Sequence, residues 1–231
     1  MSDWKAVKGL QIAIDGPSGS GKGTVAANLA AEIGLPVLDT GLLYRFVAAV
    51  ALMRDVDMDD AGQLADLSAQ LVPQMDWRED GIWFEGENYA ERVRGEAAGA
   101  GASRVAACEA VRGNLLPVQR NRAASGCIMD GRDIGSVVLP DAQAKFFLTA
   151  SLRERARRRW SQYKGKNNSD GLEQILLDLK MRDQRDAERQ HAPLRQAADA
   201  IAIDSTTLRA DEVVDRMLGV LERRRLITAT V

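Results

Sequence analysis

The chain has 231 residues, 45% of them apolar and 28% charged, which suffices for a substantial core in one large domain or two small ones. A net charge of −2 gives no reason to expect nucleic acid or an anionic membrane as a partner. No apolar run reaches the roughly 18 residues of a membrane span, and the first residues do not resemble a secretory signal. The spacing of Cys108 and Cys127 fits no metal site, so we expect two buried, reduced thiols in a cytoplasmic protein.

Five short apolar runs predict the strands of a buried parallel sheet. In chain order they are Leu10–Asp15, Pro36–Asp39, Cys127–Asp130, Ala144–Thr149 and Ala200–Asp204. Helical patterns separate these runs. After Lys22, for example, Val25, Leu29 and Ile33 recur on one face, and Gly34 is a stop signal. The alternation of strands and helices predicts an α/β fold with helices flanking the sheet.

Two polar segments interrupt this alternation. Residues about 60–100 contain "WREDGIWFEGENYAERVRGE", which predicts a turn and short strands in a peripheral insertion. Residues about 160–171, "WSQYKGKNNSDG", predict a mobile loop. After that loop, Leu172, Ile175 and Leu179 form the apolar stripe of a further predicted helix.

The stretch "IAIDGPSGSGKGTVA", Ile12 to Ala26, nearly matches the phosphate-binding motif G-x-x-x-x-G-K-[ST]. It follows an apolar run and precedes an amphipathic helix, which is the context that the motif requires. The alternative, a flexible Gly/Ser turn, does not explain Lys22. Glycines let backbone N–H groups converge on a phosphate, the following helix directs its positive end there, and Lys22 adds a full charge. The motif therefore predicts a loop that binds nucleotide phosphates.

Gly23 departs from this motif, because it stands where a Ser or Thr hydroxyl usually contacts Mg²⁺. Either Thr24 supplies a hydroxyl one position later, or the metal is held mainly by phosphates and water. A GTPase switch would need the hydroxyl at position 23. The ending "GKGT" resembles the loop of nucleoside monophosphate kinases, which move the γ-phosphoryl group of ATP onto the phosphate of a nucleotide. The extra glycine thus points to a phosphate acceptor.

Two stretches directly after predicted strands carry charged side chains that suit such an acceptor. "LDTGLLYR" places Arg45 beyond the second strand, and "MDGRDIGSVVLPDA" places Arg132 and Asp133 beyond the third. In the second stretch, Asp130 ends the apolar run, where a carboxylate near Mg²⁺ often lies. Ligands of open parallel sheets bind outside the carboxyl ends of the strands. The alternatives are an ordinary surface arginine in the first stretch and a structural ion pair in the second.

The segment "MRDQRDAERQHAPL" gathers charge on one side of a predicted helix. At 100° per residue, Arg182, Arg185, Asp186 and Arg189 fall within about a 100° arc. Three guanidiniums and one carboxylate suit a polyanion that also offers a hydrogen-bond donor. The alternative is a solvated face with ion pairs such as Arg182–Asp186.

Six stretches together resemble the bacterial cytidylate kinases, and the resemblance extends over nearly the whole chain. In order they are "GPSGSGKGT", "DTGLLYR", "DGRDIGSVVLPDA", "FFLTASLRERARRR", "RDQRDAERQHAPL" and "AADAIAIDST". The resemblance implies a P-loop NTPase fold with a five-stranded parallel sheet flanked by helices. It also implies one kinase domain, residues 1–231, with a core at 8–40, 104–152 and 172–231, a nucleoside-monophosphate-binding insertion at about 41–103 and a small lid at about 153–171.

The resemblance also implies the roles of individual residues. The residues implied for ATP are Gly16, Pro17, Ser18, Gly19, Ser20, Gly21, Lys22, Gly23 and Thr24. Those implied for CMP are Thr40, Arg45, Ser103, Arg112, Arg132, Asp133, Arg182, Asp186 and Arg189. Those implied for catalysis are Lys22, Arg132 and Arg189, together with Arg155, Arg158 and Arg159 of a lid that closes over the ATP phosphates.

The hypothesis from the sequence is direct transfer of the γ-phosphoryl group of ATP to CMP or dCMP, giving ADP and CDP or dCDP. Mg²⁺ is expected to enter with ATP, with no dedicated protein metal site, and the protein is expected to be a monomer without nucleic-acid or membrane partners. A P-loop kinase for UMP, AMP or another metabolite is an alternative. A nucleotide-gated switch is a further one, although the chain has no N-K-x-D motif for guanine.

Overall fold

The structure is a computed structural model that describes residues 4–78, 80–94, 96–163 and 171–230. It divides into two compact units. The sheet unit comprises Met1–Leu38, Ala123–Glu188 and Ala192–Val231, and the insertion unit comprises Asp39–Arg122 and Arg189–His191.

The elements alternate along the chain as the sequence predicts. The strands are β1 (Trp4–Ala6), β2 (Gln11–Asp15), β3 (Val37–Asp39), β4 (Asp76–Arg78), β5 (Gly81–Phe84), β6 (Glu87–Asn88), β7 (Cys127–Gly131), β8 (Ala144–Thr149), β9 (Ile201–Asp204) and β10 (Ile227–Ala229). The α-helices are α1 (Lys22–Ile33), α2 (Gly41–Met53), α3 (Ala61–Leu71), α4 (Ala90–Val93), α5 (Glu96–Val105), α6 (Glu109–Ala123), α7 (Leu152–Tyr163), α8 (Leu172–Glu188) and α9 (Ala210–Arg223).

The sheet unit is built on a five-stranded sheet in the order β3-β7-β2-β8-β9. Its central strand β2 pairs in parallel with β7 and β8, and β8 pairs in parallel with β9. All five strands predicted from the apolar runs are present, and the α/β fold class is confirmed. Because β2 and β7 are covered on both faces, the centres of both strands are apolar at successive positions, Ile12–Ile14 and Cys127–Met129, rather than alternating.

Helices α1 and α9 cover this sheet with their apolar faces. Val25, Leu29 and Ile33 of α1 are buried in the same cluster as Ile12 and Ile14 of β2, as the helical periodicity predicts. The helix ends at Gly34, whose φ of +70° is the left-handed conformation that glycine adopts without strain, and its N–H donates to Ala30 O. The short strands β1 and β10 pair antiparallel beside this core.

The insertion unit has its own core. Its strands β4, β5 and β6 form an antiparallel sheet, which confirms the short strands predicted in this segment. Phe46 of α2 packs edge-on against Phe84 and Tyr89, at centroid distances of 5.6 and 5.2 Å. Gly101 of α5 lies so close to α2 that a Cβ there would stand 3.0 Å from the Cβ of Ala48.

The region after β8 consists of two packed helices. Ala156 of α7 is buried with Ile175 and Leu179 of α8, as the apolar stripe predicts. Helix α8 ends at Glu188, so Arg189 lies just beyond the helix rather than on its face. Residues 164–170, the centre of the predicted lid and mobile loop, lie outside the described residues. In the described parts of the chain, no helix combines the length and apolar character needed to cross a membrane.

Candidate active site

The phosphate loop follows β2 and leads directly into α1, and its backbone requires glycine at one tightly packed position. Gly16 has φ of +151°, and a Cβ on it would stand 2.0 Å from the carbonyl oxygen of Leu148 on β8. Gly19 and Gly21 also have positive φ values, of +79° and +95°. These conformations turn successive peptide groups within a short span, as a loop that surrounds a phosphate with amides must do.

Lys22 is the first residue of α1, and its side chain folds back over the loop. Its Nζ donates to Gly16 O at 2.8 Å and to Pro17 O at 2.9 Å. Burial lowers the pKa of this ammonium, and the nearby Arg132 lowers it further, whereas Asp130 and Asp15 oppose the shift. The loop thus holds a buried cation at the positive end of a helix, an arrangement that suits an anion.

Two of the three predicted lid arginines contact the phosphate loop itself. Arg155 Nη1 donates to Ser18 O at 3.1 Å, and Arg158 Nη1 donates to Ser20 O at 3.2 Å. Ser205, directly after β9, donates from its Oγ to the same Ser20 oxygen at 3.1 Å. The third, Arg159, is half-buried on the same helix. Their role in a closing lid stays a prediction.

Asp15, the last residue of β2, links the strand before the phosphate loop to the segment after β7. Its Oδ1 accepts from Ile134 N at 2.7 Å, and its Oδ2 accepts from Gly135 N at 2.8 Å. Burial raises the pKa of this carboxyl to about 6, although the two backbone donors act in the opposite direction. The carboxylate therefore fixes the chain directly after Arg132 and Asp133.

Arg132 and Asp186, which the sequence places 54 positions apart, form an ion pair. Arg132 Nε donates to Asp186 Oδ2 at 3.1 Å, and both side chains are mostly buried. Asp133 is buried beside Arg132 in the chain, and Arg182 is half-buried one turn before Asp186. Arg185, in contrast, is exposed, so the predicted arc of three arginines does not act as one surface.

The remaining residues predicted for the acceptor belong to the insertion unit. Thr40, Ser103 and Arg112 are buried, and the Arg112 guanidinium lies 5.7 Å from the ring centroid of Tyr44. Arg45 lies one turn into α2 and faces Asp39 at 4.0 Å. Asp39 also accepts from Gly41 N at 2.9 Å, which fixes the start of that helix. Arg189, also buried, belongs to this unit as well.

The surroundings of Gly23 bear on the metal that accompanies ATP. A Cβ on Gly23 would stand 3.7 Å from Asp130 Oδ2, so a carboxylate at the end of β7 faces the position where other phosphate loops carry a hydroxyl. Thr24, the next residue, is exposed. These oxygen donors are of the type that Mg²⁺ prefers. Among the described residues, no group of three or more His, Cys, Asp or Glu side chains is placed to hold a metal ion.

Sequence reasoning missed the contacts of two carboxylates at this site. Asp15 was recognised only as the end of a strand, and its bonds to Ile134 and Gly135 span more than a hundred positions. Asp183 lies on a helix for which the sequence offers a solvated face with ion pairs as an alternative, yet it pairs with Arg155 of α7 at 2.7 Å. Only Asp15 could have been found from the sequence, because a carboxylate at the end of an apolar strand is expected to be buried and so to need hydrogen-bond partners.

A parallel sheet with a glycine-rich phosphate loop after its central strand defines the class of P-loop nucleotide-binding proteins. The fold alone is shared with a solved structure from Eubacterium ventriosum, with a TM-score of 0.51, 14% identity, and coverage of 92% of this chain and 98% of that one. The cytidylate kinase family model matches residues 12–223. The chain therefore belongs to the cytidylate kinase family.

Curated relatives agree with this assignment. A cytidylate kinase of Pseudomonas entomophila is 50% identical over 221 residues, which cover 94% of this chain and 97% of the relative. A cytidylate kinase of Stutzerimonas stutzeri is 48% identical over 220 residues, which cover 93% and 96%. Relatives of this kind identify the chain as a nucleoside monophosphate kinase.

Proposed function

We propose that this enzyme transfers the γ-phosphoryl group of ATP to CMP or dCMP, giving ADP and CDP or dCDP. The observation that carries the proposal is the match to the cytidylate kinase family along almost the whole chain. The phosphate loop with its buried Lys22 supports the ATP side of the reaction, and the Arg132–Asp186 pair supports a site for a phosphate and a polar base.

The reaction needs positioning and charge neutralisation rather than a general base, because the acceptor phosphate is already nucleophilic. In the proposal, Lys22 leaves its two carbonyl partners and neutralises charge on the transferred group, assisted by the arginines of the lid. Arg45, Arg132 and Arg189 bind the acceptor phosphate, since a planar guanidinium matches two phosphate oxygens at once.

Recognition of cytosine is assigned to the buried carboxylates Asp133 and Asp186. Cytosine presents an N4 amine donor where uracil presents a carbonyl oxygen. A buried carboxylate accepts from that amine, whereas with UMP it would face another acceptor and stay unpaired. Thr40, Ser103, Arg112 and Arg182 complete the proposed CMP contacts.

Mg²⁺ is proposed to enter bound to the ATP phosphates. The Asp130 carboxylate and the Thr24 hydroxyl are the protein groups that would hold the ion or its waters. When bound, the ion neutralises charge on the phosphate chain. The backbone N–H groups of the loop Gly16–Thr24, at every position except that held by Pro17, would orient the phosphates, and Lys22 would add its charge.

A panel of acceptors tests this function. ADP release from ATP and Mg²⁺ is measured with CMP, dCMP, UMP, AMP and no acceptor. We expect CMP and dCMP to give the largest kcat/KM. A preference for UMP or AMP would identify a different nucleotide kinase, and slow hydrolysis that no acceptor stimulates would favour a nucleotide-gated switch.

A further inference from the structure

The guanidinium of Arg155 on α7 has three partners, all of them within the sheet unit. Its side chain is buried, with Nε donating to Ala150 O at 2.9 Å and Nη1 donating to Ser18 O at 3.1 Å. Its Nη2 lies 2.7 Å from Asp183 Oδ2 on α8. A buried guanidinium in which each nitrogen has an acceptor is fixed in place, because any rotation would leave a charged donor unpaired.

The bond from Arg155 to Ser18 determines which way one peptide group of the phosphate loop faces. In a trans peptide the C=O and the N–H of the next residue point in opposite directions. With Ser18 O directed at Arg155, the N–H of Gly19 is turned to the opposite face of the loop. Phosphate loops bind anions through N–H groups turned away from the supporting structure in this way.

The backbone of α7 supports the same segment by direct packing. A Cβ on Gly19 would stand 3.1 Å from the Cβ of Arg155 and 3.2 Å from its carbonyl oxygen, so the helix and the loop approach each other closely. One turn later, Arg158 holds the Ser20 carbonyl in the same manner. Helix α7 thus contacts the phosphate loop at three successive residues, Ser18, Gly19 and Ser20.

We propose that Arg155 is a positioning residue for nucleotide binding, which orients the Ser18–Gly19 peptide toward the phosphates and couples the loop to α8 through Asp183. This role differs from that of a lid arginine that touches the transferred group. It rests on the proposed function only in taking ATP as the nucleotide of the phosphate loop.

The two roles predict different effects on ATP and ADP. The amides of a phosphate loop surround the α- and β-phosphates, which both nucleotides share. Loss of loop positioning therefore weakens ATP and ADP alike. Loss of an arginine that contacts the γ-phosphate would weaken ATP and leave ADP unchanged.

Titration calorimetry of Arg155→Met with ATP, with ADP and with CMP is the decisive experiment, each nucleotide being added alone. We expect both adenine nucleotides to bind roughly 10–100-fold more weakly, as for a lost hydrogen bond to a charged group, while the Kd for CMP stays within about twofold. Arg157→Met is the matched control, because Arg157 lies on the same helix but is largely exposed and pairs with Glu154. It should bind all three nucleotides as the wild type does.

A folded Arg155→Met protein that binds ATP and ADP with wild-type affinity overturns the proposal, as does one that loses affinity for ATP alone. Should thermal unfolding show that this variant does not fold, Asp183→Asn replaces it, since that change weakens the link to α8 and keeps the bond to Ser18. We then expect a loss of about 3–10-fold for both nucleotides, and an unchanged affinity for both would contradict the coupling. The calorimetry measures binding without turnover. Its result therefore stands even if the acceptor panel shows that CMP is not the preferred substrate.

Discussion

Asp15 and Gly135 are joined by a hydrogen bond of 2.8 Å from the Gly135 amide to Asp15 Oδ2, and the adjacent Ile134 amide donates to the other carboxylate oxygen. The residue before the phosphate loop therefore positions the segment that carries Arg132 and Asp133. A Cβ on Gly135 would stand 3.4 Å from Asp15 Oδ2 and 3.1 Å from the Lys145 side chain, so this contact has little free space around it. One buried carboxylate thus connects the ATP-binding loop to residues proposed for the acceptor.

Burial of Asp15 predicts a pH dependence of stability. Its pKa rises from 3.8 to about 6 in the folded protein, so the folded state binds more protons than the unfolded state between these values. The contribution of this group is therefore full below pH about 4 and is lost as the pH rises through about 6. Two pKa units correspond to about 3 kcal/mol as an upper limit.

The variant Asp15→Asn removes the titrating group and so measures its pH-dependent contribution to stability. The variant is expected to be less stable throughout, because an amide nitrogen would face a backbone N–H. Its free energy of unfolding should nevertheless decrease less than that of the wild type from pH 4.5 to 7.5, by up to about 2 kcal/mol, since part of the contribution is already lost at pH 4.5. Urea unfolding of both proteins across this range measures the difference. Parallel curves would show that Asp15 titrates as an ordinary exposed carboxyl.

The central strands β2, β7 and β8 could be predicted because they are almost wholly buried, and their apolar runs are recognised without knowledge of a partner. The edge strands β3 and β9 are partly exposed, and short apolar runs between helical patterns still identify them. The partners of charged side chains were harder to predict. The lid role of Arg155 is implied by the resemblance alone, and its acceptors Ser18 and Asp183 come from two other parts of the chain. The helix that carries Asp183 and Asp186 has a solvated face with its own ion pairs as one interpretation, whereas in the fold the two carboxylates pair with Arg155 and Arg132. Local spacing cannot reveal such contacts, since tertiary packing decides them.

The glycines of the phosphate loop are predicted to differ in their tolerance of alanine. Gly16→Ala would place a Cβ 2.0 Å from the backbone carbonyl of Leu148, so the loop or β8 must move. We expect a loss of about 1–3 kcal/mol in stability, together with weaker ATP binding. Gly23→Ala would meet only Asp130 at 3.7 Å, and alanine favours the helix by up to about 1 kcal/mol. Thermal unfolding of both variants compares them, and equal tolerance at the two positions would contradict the packing described for Gly16.

Lys22→Met is predicted to remove most of the catalytic rate while CMP still binds. The substitution keeps an unbranched side chain but removes the charge proposed to stabilise the transferred group. We expect kcat to fall by about 10²–10³-fold, as for other preorganised electrostatic groups. Lys180→Met, at an exposed position on α8, serves as the control and should keep the wild-type rate. Near-normal turnover of the Lys22 variant would remove that residue from the mechanism.

Asp186→Ala is predicted to lower the preference for CMP over UMP. The carboxylate is buried and bonded to Arg132, so its loss removes an acceptor for the cytosine amine and also frees an arginine proposed for the acceptor phosphate. We expect the ratio of the two kcat/KM values to fall roughly 10–100-fold, the effect of one hydrogen bond to a charged group, with a higher KM for CMP. Arg185→Ala, one position away on the exposed face of α8, should leave the ratio unchanged. If the ratio survives in the Asp186 variant, base recognition belongs to Asp133 or to the insertion unit, and Asp186 serves only to orient Arg132.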